Sequence, residues 1–341
     1  MNIVKQSAAL VTGFRPLQLV EYCARVCYAS ADKMTDKSAR PFVENLVKRG
    51  HYTPLEHAYV RLYPGRVDDP DMQVYVNGLY AFAAPGDYPL ADRRLTRGAF
   101  YKGVDDHGSY VAGNLRDVYM YLSAHDASLD LYEDSEAVRL DPNYAVFEIV
   151  TDRGIATEFF RHRTMSYDDS GHEAGYISHF VEFVPELSVN QQSTRYVNFS
   201  KHPFSVVLPE PFWWAYAQYS AEYNTWLGSC EHAFSAYQHM TEHNIPPEAA
   251  RNVLPLSTAT TVLMSGSLVN WLYVLNLRMP QGAHPQARLL ASYIWKPLKE
   301  RYAQELERYI SKGKLDGTYP IIDYDAEAAK IDELVKRNQG G

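Results

Sequence analysis

Apolar positions along the chain recur mostly at helical spacing. Leu17, Val20, Cys23, Ala24 and Cys27 return every three or four residues behind Pro16, which suits an early helical position. Residues 38–49 predict a second helix, stopped by Gly50. From Pro209 to His243 a stripe including Phe212, Tyr216, Tyr223, Cys230 and Tyr237 predicts one long helix. Pro246 and Pro247 end it and start a short turn through Arg251. Ser267 is placed to cap a helix reaching Arg278, and Pro285 to about Lys312 predicts the last helix, closed by Gly313. Alternation and short apolar runs predict strands at His57–Tyr63, Tyr144–Val150 and Thr258–Met264. Asp152-Arg153-Gly154 turns the second strand into a helix, Ile155 to about Arg163. Residues 64–143 carry Pro, Gly and many Asp, and predict long loops with short elements around Met72–Tyr80 and Leu115–Leu122. Residues 164–204 predict a long polar loop with some structure of its own. Helices and short strands segregate, so the class is α+β, mixed helices with a small, mostly antiparallel sheet.

Composition narrows the function classes. The 341 residues are 46% hydrophobic and 22% charged, ordinary for a globular chain, which excludes wholesale disorder. A net charge of −8 argues against a protein that coats nucleic acid. Three cysteines cannot staple a chain this long, and Cys23 and Cys27 sit on the first helical stripe, where they read as core. The odd count suits a reducing compartment. Only Lys5 and a short apolar run precede Thr12, so no signal peptide is expected. The longest apolar stretch, Val262 to Leu277, is broken by Ser265, Gly266, Ser267, Asn270 and Asn276 and predicts no membrane span. A cytoplasmic protein follows, in which the sequon Asn198-Phe199-Ser200 has no use. Neither Gly-x-Gly-x-x-Gly nor Gly-x4-Gly-Lys occurs. The 27 tyrosines suggest half-polar clefts or subunit interfaces.

Chemistry concentrates in four places. Arg161-His162-Arg163 stands at a helix end, either as a solvated cationic end or as a grip on a ligand with several anionic parts. Asn190-Gln191-Gln192-Ser193-Thr194-Arg195-Tyr196 lines up amides, hydroxyls and a guanidinium, able to read a base edge and hold a phosphate, or to form a polar surface loop. Gly50-His51-Tyr52-Thr53-Pro54-Leu55-Glu56-His57 places two histidines and a carboxylate near a turn, but matches no closed zinc pattern. The fourth is Ala250-Arg251-Asn252-Val253-Leu254-Pro255 with Leu277-Arg278 downstream. Separately, His239-Met240-Thr241-Glu242-His243 has the His-x-x-Glu-His spacing of inverted zincins, against a plain helix end.

Taken in order, these segments resemble the flavin-dependent thymidylate synthases. Their signature begins here as Arg161-His162-Arg163-Thr164-Met165-Ser166 and ends as Asn190-Gln191-Gln192-Ser193-Thr194-Arg195-Tyr196. Gly50 to His57, Ala24-Arg25 to Ser30, Ala250 to Pro255 and Gly266 to Arg278 look like its other conserved blocks. The resemblance implies that family's fold as a single catalytic domain over 1–312, with a tail over 313–341. It implies dTMP made from dUMP, with methylenetetrahydrofolate as carbon donor, NADPH as reductant and FAD as cofactor, and with no metal. It also implies a homotetramer that shares its active sites. By position, Arg278 would be catalytic, polarising the uracil ring. Glu158, Arg161, Gln191, Gln192, Ser193, Thr194, Arg195 and Arg251 would hold dUMP with it. His51, Thr53, Arg161, His162, Arg163, Thr164, Gln191, Ser267 and Tyr273 would contact FAD.

Departures from the pattern matter. The interval from Arg163 to Ser193 is 29 residues where the family has seven, an insertion of about 22 within 165–188. The motif's middle serine is either Ser166 or Ser188. The inserted piece is either a flap or extra hairpin at the mouth of the site, or a bland excursion. Gln191 stands where the family has Glu, and Tyr273 and Val269 stand where a polar flavin contact and an Arg are expected. A non-catalytic nucleotide sensor on the same fold is the remaining alternative.

Overall fold

A computed structural model of the chain describes residues 1–82, 84–85, 100–123, 136–161, 166–168, 181–183, 187–209, 212 and 220–311. It opens with strands β1 (Asn2–Val4) and β2 (Ser7–Leu10) and helix α1 (Pro16–Cys27), with Pro16 at the first helical position. Helix α2 (Ala39–Lys48) stops before Gly50, whose φ of +73° favours glycine. A 3-10 turn, Thr53–His57, leads into β3 (Tyr59–Leu62), and then come α3 (Pro70–Phe82) and β4 (Ala84–Pro85). A hairpin of β5 (Tyr101–Asp105) and β6 (Gly108–Asn114) follows, then α4 (Leu115–Ser123) and β7 (Val138–Leu140). Strand β8 (Tyr144–Asp152) runs straight into α5 (Arg153–Phe160). Short strands β9 (Ser166–Asp168), β10 (Val181–Phe183), β11 (Ser188–Gln191) and β12 (Ser205–Val207) precede α6 (Ser220–Glu242) and α7 (Pro247–Ala250). The chain then forms β13 (Ala259–Ser267), α8 (Leu268–Arg278), α9 (Pro285–Arg301) and α10 (Ala303–Ser311).

The class is α+β, but the strands make two main sheets rather than one small one. The first is antiparallel, in the order β11-β13-β8-β2. Its period-two alternation feeds two cores. Val146 and Leu263 join Val20, Cys23 and Leu55 from α1 and the 3-10 turn on one face. Phe147, Ile149, Val262 and Met264 join Ile155, Trp271 and Leu290 from α5, α8 and α9 on the other. Trp271 packs edge-on to Phe147 at 4.9 Å and donates its ring N–H to the Ala145 carbonyl at 3.0 Å, so its large apolar area is buried with its donor satisfied.

The second sheet, in the order β4-β5-β6-β3-β7, corrects the expectation of long loops over 64–143. The two expected short elements are present as α3 and α4, but residues 101–114 form a hairpin pairing on β3. Arg61 lies buried at its centre. Its Nε and Nη2 reach the two Asp141 oxygens at 3.2 Å each, and Nη1 reaches Asp105 at 2.8 Å. Tyr63 donates to Asp105 at 2.7 Å, Tyr101 donates to Asp141, and the guanidinium stacks 4.2 Å from the Tyr110 ring centre. A buried cation persists here because two carboxylates and aromatic rings replace its water.

Other expectations need adjustment. The described part of the long helix starts at Ser220. Its fully buried side chains are only Tyr223, Cys230 and Tyr237, a seven-residue repeat that makes a narrow seam. The last helix is two, α9 and α10, broken at Tyr302 (φ −123°, ψ 30°). Within the insertion, β9 and β10 pair antiparallel with Phe183 opposite Ser166, and residues 169–180 between them lie outside the described residues. The tail lies outside the described residues. No helix among the described residues is long and apolar enough to cross a membrane.

Asp117 carries a testable cost. It stands in the first turn of α4, where Asn114 accepts from its N–H at 3.0 Å and donates to its carboxylate at 2.6 Å. Burial pushes its pKa up to about 6. The native state therefore holds this proton more tightly than the unfolded chain, and stability falls as pH rises from about 4 through 6. The shift corresponds to about 2–3 kcal/mol. Asp117→Asn keeps the hydrogen bond without the charge. It is expected to stabilise the protein by about 1–2 kcal/mol at pH 7.5 and not at all below about pH 4, as read by urea melts at both pH values.

Candidate active site

Two helix ends meet over the first sheet. Arg278 is the last residue of α8, and Glu158 lies in the last turn of α5. Nη1 of Arg278 donates to Glu158 Oε2 at 2.9 Å and Nη2 donates to the Glu158 carbonyl at 2.7 Å. Two bonds to one residue fix the plane of the guanidinium. The dipoles of both helices favour a cation at this place. Ser267 starts α8. Its hydroxyl accepts from the Asn270 N–H at 3.2 Å and donates to the Asn270 side chain, so it is committed to the cap. Tyr273 lies half-buried on the same helix. Arg161 caps α5 and is exposed, while His162, Arg163 and Thr164 lie outside the described residues.

A few residues beyond β11 the chain makes a tight corner. Gln191 pairs with Val262, and Gln192 donates its N–H to Thr261 at 2.8 Å. The Ser193 N–H then reaches the Cys27 carbonyl at the end of α1, at 2.9 Å. The Ser193 hydroxyl accepts from the N–H groups of Arg195 (3.2 Å) and Tyr196 (3.3 Å), which closes the turn. Thr194 is buried, and its hydroxyl accepts from Arg251 at 3.0 Å. Arg195 is exposed, 5.3 Å from the Tyr196 ring centre. The fold thus gathers Gln191, Gln192, Ser193, Thr194, Arg195 and Arg251, residues spread over 61 positions, into one corner. Arg153 joins them, donating to the Gln192 carbonyl at 3.1 Å. Sequence reasoning passed over Arg153 because it stands inside the Asp152-Arg153-Gly154 turn and reads as a turn residue.

The Thr53–His57 turn packs on the other face of β11. His51 and Thr53 are exposed. Glu56 pairs with Arg116 of α4 and accepts from Ser188 at 3.3 Å. His57 is fully buried, with Nδ1 2.8 Å from the Ser265 hydroxyl and Nε2 buried without a hydrogen-bond partner among the described residues. Burial holds its pKa down at about 3, so the ring is neutral. Ser188 and Asn190 face this turn, while Val189 packs into the α8 core. By alternation Gln191 shares the Val189 face. The sheet therefore separates His51 and Thr53 from α8 and Tyr273. Among the described residues no cluster of three His, Cys, Asp or Glu could hold a metal. His239 and His243 stack 4.2 Å apart at an exposed helix end, with His243 Nδ1 2.8 Å from the His239 carbonyl.

The model of the thymidylate synthase complementing protein family, the flavin-dependent thymidylate synthases, matches residues 9–68 and 139–302, about two-thirds of the chain. The chain belongs to this family. It is 29% identical over 145 residues to a probable flavin-dependent thymidylate synthase of Paramecium bursaria Chlorella virus 1, covering 41% of this chain and 58% of that one. It is 25% identical over 144 residues to a flavin-dependent thymidylate synthase of Synechocystis sp., covering 42% and 60% respectively. The chain thus spans less than two-thirds of the length of these curated relatives. Arg116, which holds Glu56, falls between the two stretches the family model matches.

The buried neutral His57 makes stability acid-sensitive. Its folded pKa lies below the unfolded value of about 6.5, so the unfolded chain binds the extra proton. Its contribution is lost as pH falls from about 6.5 toward 3. His57→Gln keeps a polar partner for Ser265 but cannot titrate. Between pH 6.5 and 4.5 the wild type is expected to lose about 2–3 kcal/mol more than this variant, as read by urea unfolding across that range.

Proposed function

We propose that the chain methylates dUMP to dTMP, with methylenetetrahydrofolate as carbon donor and NADPH as the source of reducing equivalents. The observation that carries this reading is the Arg278 guanidinium, tethered by Glu158 where α5 and α8 converge, in a chain of this family. A fixed cation beside a uracil ring favours its N3-ionised, more nucleophilic form, because the anion meets a charge that need not reorganise. Glu158, which the resemblance places on the substrate, also fixes the plane of the Arg278 guanidinium. The corner of Gln192, Ser193, Thr194, Arg195 and Arg251 suits the rest of the nucleotide, with hydroxyls and guanidiniums for the phosphate and amides for the ring edge.

The donor set fits FAD. His51, Thr53 and Arg161 are exposed and no described residue engages their side chains, which leaves donors for a dinucleotide. Bound there, the flavin supplies hydride transfer, and these side chains hold and orient it. Because the sheet stands between His51 and α8, residues from two chains would complete one flavin site. That arrangement supports the homotetramer. The unpaired cysteines agree with a cytoplasmic enzyme, and burial raises the pKa of Cys27 to about 12, so no thiolate nucleophile is offered there.

The test is the visible spectrum of the pure protein, followed by tritium release from C5-labelled dUMP with NADPH and methylenetetrahydrofolate. A flavin band and release of label are expected. Binding of dUMP with no release would favour a sensor, and the absence of any flavin band after adding FAD would sink the reading. Arg278→Ala is expected to lower kcat by about 10²–10³. Glu158→Ala is expected to lower it by about tenfold, with Arg278 present but loosely oriented.

A further inference from the structure

The corner beyond β11 contains more positive charge than its described partners balance. Arg153 is the first residue of α5, and its backbone N–H is held by the carbonyls of Leu256 (3.0 Å) and Thr258 (3.2 Å), so the root of its side chain is fixed. The guanidinium reaches the Gln192 carbonyl through Nη2, while its Nε is buried with no hydrogen-bond partner. Arg251 comes in from the other side and bonds Thr194 at 3.0 Å. The two guanidiniums thus bracket Gln192 to Thr194. They are close enough that the charge of Arg251, after burial, holds the Arg153 pKa below its ordinary value.

Neither has a carboxylate partner among the described residues. Asp152, the next residue in the chain, turns away. One oxygen takes the Ile155 N–H at 2.7 Å and the other takes the Gln286 amide. Two like charges side by side, one with a buried unused donor, cost free energy in the empty chain. A doubly charged oxyanion removes both costs, because a guanidinium fork matches two of its oxygens.

We propose that Arg153 is a further phosphate-binding residue, which with Arg251 grips the phosphate monoester dianion of the nucleotide substrate against the Gln192–Arg195 turn. This rests on the nucleotide reading above and adds a residue that the family motif does not assign.

The experiment uses the full chain and titrates wild type, Arg153→Met and Arg153→Lys with dUMP, with deoxyuridine and with inorganic phosphate, by calorimetry and thermal melting. Arg153→Met is expected to weaken dUMP about 10- to 100-fold and leave deoxyuridine unchanged. It should also lose the melting-temperature rise given by phosphate, and Arg153→Lys should recover part of both effects. Without ligand, Arg153→Met should melt at or above the wild type, since it removes a like-charge contact; a purely structural arginine would melt lower. Equal losses for dUMP and deoxyuridine, or dUMP affinity within twofold of a wild type that binds it, would overturn the proposal. If wild type binds phosphate through Arg153 but gains nothing from dUMP, the arginine pair stands as a phosphate site and the nucleotide reading falls. If phosphate has no effect on wild type, the proposal falls even where flavin and turnover are present.

Discussion

Everything at the site hangs on one ladder, the antiparallel pairing of β8 with β13. Nine residues face nine, from Asp152 opposite Ala259 to Ser267 opposite Tyr144. At one end β8 becomes α5, capped by Asp152, and at the other β13 becomes α8, capped by Ser267. Two helices that start at opposite ends and fold back over the same face must run toward each other. The ladder is roughly 30 Å long at about 3.4 Å per residue. The eight residues of α5 and the eleven of α8 extend about 12 and 16 Å at 1.5 Å per residue. Their lengths nearly fill the ladder, so the carboxyl ends meet, and there Arg278 finds Glu158 across 120 positions of sequence. A shift of register by two residues would move the helices by about 7 Å and part that pair.

The same ladder explains why the cationic residues collect where they do. Both helix ends present unsatisfied carbonyls, and one of them, that of Glu158, is taken by Arg278. At the amino end of α5, Arg153 sits five residues before Glu158, about 7.5 Å along the axis, beside the Ser193 turn. One short helix thus links the corner suited to a phosphate with the guanidinium suited to a ring. Its position is set by the cap at Asp152, whose second oxygen is tied to Gln286 of α9.

The parts of this fold that could be read from sequence are those governed by neighbours in the chain. Pro16, Gly50, Asp152 and Ser267 each mark a helix boundary through local backbone chemistry, and each boundary is where those residues place it. The β5–β6 hairpin was hidden because Gly103, Gly108 and Gly113 interrupt its alternation and because β3, which pairs with β6, is about fifty positions earlier. Two of those glycines serve close approach. An added Cβ would meet the Tyr110 hydroxyl at 2.6 Å from Gly103 and the Phe100 ring at 2.6 Å from Gly113. At the candidate site, motif order pointed to Arg278 and Arg251, which the fold sets against Glu158 and Thr194. It missed Arg153 and Arg116, because a lone arginine in a turn or on a helix shows nothing until its partners are in place. The tyrosine excess resolves the same way. Tyr59, Tyr63, Tyr101 and Tyr110 enclose the Arg61 ion network rather than line the candidate site.

That second sheet bears on the site directly, since β3 continues the Thr53–His57 turn and Tyr59 stacks on Tyr144 of β8 at 4.9 Å, and also through α4. α4 lies in the interval between the two stretches matched by the family model, yet its Arg116 pairs with Glu56 of the motif turn and its Tyr119 ring sits 6.0 Å from Tyr52. Glu56 is also held by Ser188 of β11, the strand that runs on into the Ser193 corner. The contacts form a chain from the added sheet, through α4 and the turn, to the edge strand. A half-buried carboxylate is well held only while a cation and a hydroxyl both face it, since either partner alone leaves it short of bonds that water would otherwise supply. Arg116 therefore does more for the turn than an exposed ion pair would. The Glu56 carbonyl also accepts from Tyr144 and Ser188 at 3.4 Å each, so the turn that carries Thr53 is tied to the first sheet through backbone and side chain together.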